Sequence, residues 1–126
     1  RSTLFPYTTL FRSVDMAIED GQRVVECGIE FTAIHLPGHT QGCTAYLFTH
    51  EGKRIVAAGD VIGTLLCGDF GWSGSIDFDK KVYTESLRRF AQVDTDIMLA
   101  GHGLCYFHQP RRRVEQALNS ALMQWR

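Results

Sequence analysis

The chain of 126 residues lacks the features of a disulfide scaffold, a membrane span or a nucleic-acid binder. Its four cysteines, Cys27, Cys43, Cys67 and Cys105, form no C-x-x-C pair, which excludes the usual zinc-ribbon and thioredoxin-type spacings. Four cysteines over this length do not make a small staple-dependent scaffold either, so reduced, partly buried thiols are expected. No apolar run approaches the roughly 20 residues that a membrane helix requires, and no membrane partner is expected. Thirteen basic residues against 14 acidic ones, a net charge of −1, leave no basic stripe to track nucleic acid. The one charge run, Arg111-Arg112-Arg113, follows Pro110 and reads as a solvated helix face rather than a phosphate patch. No internal repeat or linker divides the chain. With 44% apolar residues it is long enough for one domain, or a piece of one, burying roughly two-thirds of its unfolded surface if complete.

The N-terminus is set aside before any fold reasoning. Residues 3–13, Thr3-Leu4-Phe5-Pro6-Tyr7-Thr8-Thr9-Leu10-Phe11-Arg12-Ser13, resemble the in-frame translation of a widely used sequencing-library adapter. On that reading residues 1–13 are an artefact, residues 14–126 are a truncated domain, and the natural N-terminus is lost. Compartment is then left open, with the cytoplasm as the default.

Asp20-Gly21 is a turn signal. Arg23 to Glu26 and Ile29 to Leu36 read as strands joined at Cys27-Gly28, and Pro37-Gly38 ends the second, since proline cannot donate to a ladder. Cys43 to Thr49 and Arg54 to Ala58 form a hairpin through His50-Glu51-Gly52-Lys53. The glycine-rich segment Gly63 to Gly74 reads as a loop. Asp77 or Asp79 caps a helix to about Gln92, with Val82, Tyr83, Leu87 and Phe90 at helical spacing. Ile97 to Ala100 is a short buried strand. Pro110 starts a last helix, with Val114, Ala117, Leu118, Ala121, Leu122 and Trp125 along one face.

Three potential metal ligands each follow a predicted strand: His39 in Leu36-Pro37-Gly38-His39-Thr40-Gln41-Gly42, Asp60 in Ala57-Ala58-Gly59-Asp60, and His102 in Ala100-Gly101-His102-Gly103. Histidine and carboxylate suit zinc or iron, and loops at strand ends aim several ligands at one point. Gly38 and Gly42 allow the turn that presents His39, and Gly101 and Gly103 leave room around His102. Asp60 at the end of a buried strand is costly as a lone charge, and a metal is one way to compensate it. Thr40 is a candidate second support, hydrogen-bonding a neighbouring ligand or the loop backbone. Cys43 reads as a small packed residue, and Cys105 as a weaker candidate ligand. His35, His50 and His108 read as strand, turn and loop residues. Phe70, Trp72 and Tyr106 either line a substrate mouth or pack in the core.

From roughly Gly21 to Trp125 the chain resembles the C-terminal half of a metallo-β-lactamase-fold metallohydrolase. The resemblance implies an α/β half of a four-layer αββα sandwich, a mostly antiparallel sheet with two helices, about 78–92 and 110–124, on one face. It assigns His39 to the first metal, Asp60 to both as a bridge, and His102 to the second, with two divalent ions (zinc, or iron or manganese) as cofactors. Aspartate at position 60 is similar to the lactonase and hydroxyacylglutathione-hydrolase branches. The implied reaction is hydrolysis of an ester, thioester or lactone of a small-molecule substrate by metal-bound hydroxide. An iron-dependent sulfur dioxygenase-like member, or a non-catalytic α/β fragment, are the rival readings. The family's His-x-His-x-Asp-His motif does not occur in this sequence. The chain itself is therefore expected to bind metal weakly and not to turn over, and to expose an apolar sheet face through which homo-oligomers form.

Overall fold

The computed structural model describes residues 16–63 and 76–125. The adapter-like segment, Cys67, Phe70, Trp72 and most of the glycine-rich segment lie outside the described residues. Five strands and two helices follow one another as β1 (Arg23–Glu26), β2 (Ile29–His35), β3 (Thr44–His50), β4 (Lys53–Gly59), α1 (Lys80–Phe90), β5 (Ile97–Ala100) and α2 (Pro110–Gln124).

Local chemistry accounts for the connections. Cys27 and Gly28 take φ of 52° and 78°, and Glu51 and Gly52 take 48° and 72°. Two successive residues at positive φ are the type I′ arrangement, whose twist matches the flanking strands. Each hairpin therefore closes on two residues, with glycine second. Asp79 caps α1 by accepting from the backbone N–H groups of Lys81 and Val82, and Pro110 occupies the first turn of α2.

The strands form one sheet in the order β1-β2-β3-β4-β5. The first three pairings are antiparallel, and β4 with β5 is parallel. This is the mostly antiparallel sheet expected from the sequence. Register places Leu47, Val56 and Met98 in one cross-strand row, and Ile34 opposite Ala45. These residues join Tyr83, Leu87 and Phe90 of α1 and Val114, Ala117 and Ala121 of α2 in a single core. Two helices on one face follow from that packing. The opposite face carries the row Phe31, Phe48, Ile55 and Ile97. Among the described residues, an apolar groove of about 340 Å³ opens there between Ile18, Ile29, Phe31, Tyr46 and Phe48.

Two sequence expectations need correction. Cys27 and Cys105 are exposed rather than partly buried, although both are free thiols, and Cys43 packs at the core margin. The Arg111–Arg113 run is not uniformly solvated. Arg111 pairs with Glu115 at 2.9 Å, but Arg113 is buried and its guanidinium donates to the Gly63 carbonyl at 2.6 Å. Arg113 lies three residues after Pro110 and four before Ala117, which puts it on the buried stripe of the helix.

A pH dependence follows from the ties at the sheet edge. Asp20 accepts from the His35 backbone N–H at 2.8 Å and from the Arg89 guanidinium at 2.9 Å. Those two hydrogen bonds hold its carboxyl below the usual carboxylate value. A depressed acid contributes stability that is complete above its unfolded pKa and is lost as pH falls through the folded one. The urea midpoint should therefore fall between about pH 5 and pH 3, and Asp20→Asn should flatten that part of the curve. An unchanged slope in the variant would count against the role given to Asp20.

Candidate metal centre

The three strand-end residues converge. His39 sits in the turn after β2, Asp60 directly follows β4, and His102 follows β5 by two residues. The two oxygens of Asp60 are divided between two imidazoles. Oδ1 lies 2.6 Å from His102 Nδ1, and Oδ2 lies 3.8 Å from His39 Nε2. His39 is buried at 8% exposure, whereas the His102 side chain is 73% exposed. One imidazole is thus fixed by packing, and the other faces solvent.

Backbone ties bring the loops together. In the parallel pair, the Gly101 N–H donates to the Gly59 carbonyl at 2.8 Å, joining the His102 loop to the Asp60 turn. Gly59 takes φ of 53°, and the Val61 N–H returns to the Ala58 carbonyl at 3.2 Å, so Asp60 is presented from a tight turn. A Cβ on Gly101 would stand 2.6 Å from Asp60 Oδ1 and 2.9 Å from the Gly59 carbonyl carbon. The glycine before His102 is therefore a space requirement. In the His39 loop, the Gly38 N–H donates to the Thr40 carbonyl at 3.0 Å.

Helix α1 buttresses the same loop. Ser86 Oγ donates to the Pro37 carbonyl at 2.6 Å, an Arg89 N–H donates to the His35 carbonyl at 3.1 Å, and the Asp79 N–H donates to the Gly38 carbonyl at 2.9 Å. Ser86, Arg89 and Arg113 were not legible as supports of the site. Their partners are backbone carbonyls 49 to 54 positions away in sequence, which no local pattern encodes. The Thr40 hydroxyl points to Cys43 Sγ at 3.4 Å, rather than to a ligand or the loop backbone as anticipated. Tyr106 pairs with Met98 and packs against the core.

The donor set suits part of a metal site. Two atoms bound to one zinc ion at about 2.0–2.1 Å in tetrahedral geometry stand about 3.3 Å apart, close to the His39–Asp60 separation of 3.8 Å. The His102–Asp60 contact is instead closed as a hydrogen bond, too short to share an ion. Among the described residues, no three histidine, cysteine or acidic side chains are grouped so as to hold a metal. The exposure of the His102 imidazole gives it room to rotate away from that bond.

The chain is similar to known proteins in sequence and in fold. The model of the metallo-beta-lactamase superfamily matches residues 6–102. Over 54 residues the chain is 41% identical to the hydroxyacylglutathione hydrolase of Pseudomonas aeruginosa strain LESB58, a stretch covering 43% of this chain and 20% of the relative. The hydroxyacylglutathione hydrolase of Pseudomonas entomophila strain L48 is 35% identical over the same length, covering 43% of this chain and 21% of its own. A metallo-beta-lactamase family protein of Thermus thermophilus superposes with a TM-score of 0.71 at 22% identity, covering 89% of this chain and 36% of that one. A HARLDQ-motif mutant metallo-beta-lactamase of Cronobacter sakazakii gives 0.67 at 21% identity, covering 90% and 52%. The chain thus spans about a fifth of the curated relatives it matches, and the structural likenesses speak for the fold.

Proposed function

The chain belongs to the metallo-beta-lactamase superfamily, and from that premise we propose that His39, Asp60 and His102 are one half of a two-metal hydrolase centre. The observation that carries the reading is the Asp60 carboxylate, with one oxygen toward each imidazole. With the exposed His102 imidazole turned out of its hydrogen bond, Asp60 would help hold two divalent ions, with His39 on one and His102 on the other. Zinc fits the nitrogen and oxygen donors, as do iron and manganese. Metal bound there would polarise a carbonyl and lower the pKa of water. The protein's own part is to hold the ligands. Burial fixes His39, the Gly101–Gly59 bond sets the His102 loop against Asp60, and α1 braces the turn before His39.

Hydroxyacylglutathione hydrolases act, by name, on hydroxyacylglutathione, and the local identity to them favours thioesters, with esters and lactones as neighbouring substrates. Three ligands do not complete two metal sites, so this polypeptide alone should bind metal weakly and turn over little. The test is hydrolysis of a hydroxyacylglutathione and of a lactone, by this chain and by a protein that also carries a His-x-His-x-Asp-His segment ahead of it, each loaded with zinc. Asp60→Asn should lower kcat by about 100-fold or more and reduce metal content. An Asp60→Asn variant with full metal and full rate would overturn the assignment. Oxygen uptake on a persulfide without hydrolysis would point to a dioxygenase built on the same residues.

A further inference from the structure

Sheet geometry fixes one of the two spacings in the site but not the other. Strands β4 and β5 are neighbours, so their ladder, ending in the Gly101–Gly59 bond, sets Asp60 against His102. The His39 turn leaves β2, which is separated from β4 by β3. Two ladder spacings, about 10 Å, lie between the strands that feed His39 and Asp60, and no hydrogen bond of one ladder spans them.

Among the described residues, Tyr83 touches both loops. Tyr83 of α1 is fully buried, and its main chain fills the space over Gly38, where a Cβ would come within 3.0 Å of the Tyr83 backbone. Its hydroxyl donates to the Val61 carbonyl at 2.5 Å. Gly38 immediately precedes His39, and Val61 immediately follows Asp60. The ring is fixed by Phe78 and Trp125, with centroids at 5.6 and 6.0 Å, and the helix itself is tied to Pro37 through Ser86. A buried tyrosine needs a partner for its hydroxyl, and that need alone would be met by any carbonyl in reach. The partner here is the Val61 carbonyl beside Asp60, and the tyrosine's own backbone already seats the His39 turn.

We infer that Tyr83 is a positioning residue that sets the His39–Asp60 separation, by its backbone on one side and its hydroxyl on the other. This rests on the reading of His39 and Asp60 as ligands only for its effect on metal, not for its effect on spacing. Tyr83→Phe keeps the ring contacts and removes the tie to Val61. In a crystal structure of the metal-free variant, the His39 Nε2–Asp60 Oδ2 distance should lengthen from 3.8 Å by about 1 Å, while the Gly101–Gly59 bond is kept. Zinc affinity should fall about tenfold, within the range for residues that orient ligands. Val114→Ala, in the core on α2, serves as the control and should lower the urea midpoint without moving either readout. Ser86→Ala, which loosens α1 from Pro37, is the second variant and should shift the same distance.

An unchanged separation in both Tyr83→Phe and Ser86→Ala would overturn the inference. So would equal loss of zinc affinity in Val114→Ala, which would make the effect one of general stability. Zinc binding by the parent chain that ignores Asp60→Asn would refute the ligand reading instead, and the distance measurement would still decide the role of Tyr83.

Discussion

Gly38→Ala is expected to lower the unfolding free energy by about 4 kcal/mol, combining backbone strain with overpacking. Gly38 has φ of 128°, a conformation that residues with a side chain rarely adopt. The new methyl would also meet the main chain of Tyr83, and a helix backbone cannot step aside as a flexible side-chain end can. To relieve the contact, α1 must lift from the turn. That movement strains the Asp79–Gly38 and Ser86–Pro37 hydrogen bonds and the packing of Tyr83, Leu87 and Phe90 in the core. Domains of this kind hold about 5–15 kcal/mol in total, so the loss should leave the protein marginal. Urea unfolding of the variant beside the parent measures it directly. A change below about 1 kcal/mol would mean that α1 does not rest on this turn.

Gly101→Ala should act on the site more than on the fold. No positive φ is required at Gly101, but a methyl there would also stand 2.9 Å from the Gly59 carbonyl carbon, so the overpacking should cost about 1–3 kcal/mol. The methyl, however, would stand 2.6 Å from Asp60 Oδ1, in the space between the carboxylate and the strand that carries His102. The half-exposed Asp60 side chain can swing out to relieve this, and doing so separates it from both imidazoles. Zinc affinity should fall by about 100-fold, at the upper end of the loss expected when ligands are misaligned. The pair of measurements is diagnostic: a small loss in unfolding free energy with a large loss in zinc binding. Equal metal affinity in Gly101→Ala and parent would show that Asp60 is not the shared ligand.

The sequence made the local elements legible because their causes are local. The Cys27-Gly28 and Glu51-Gly52 turns, the Asp79 cap and Pro110 at the head of α2 each act within four residues. Strand and helix bounds accordingly fall within one or two residues of expectation. His39, Asp60 and His102 were legible as strand-end residues of one chemical type, and the fold brings them together. What could not be read was their mutual arrangement: the division of the Asp60 oxygens and the closed His102 contact depend on how β4 and β5 pair across 42 positions. Tyr83 shows the same limit. Its spacing with Leu87 and Phe90 marks it as a core residue, and nothing local reveals that its hydroxyl ends 22 positions away on Val61. Arg113 is a different case: helical spacing from Pro110 and Ala117 puts it on the buried side of α2, but a run of three arginines reads first as a solvated face.

The most direct test of the central claim is a zinc titration of this chain by calorimetry, with metal content measured after dialysis, for the parent, His39→Ala, Asp60→Asn and His102→Ala. Weak binding by the parent is expected, micromolar or poorer and short of two ions, falling further with each of the three substitutions and most with Asp60→Asn. Binding that is indifferent to Asp60, or two tightly held zinc ions with steady thioester hydrolysis in these 126 residues, would contradict it.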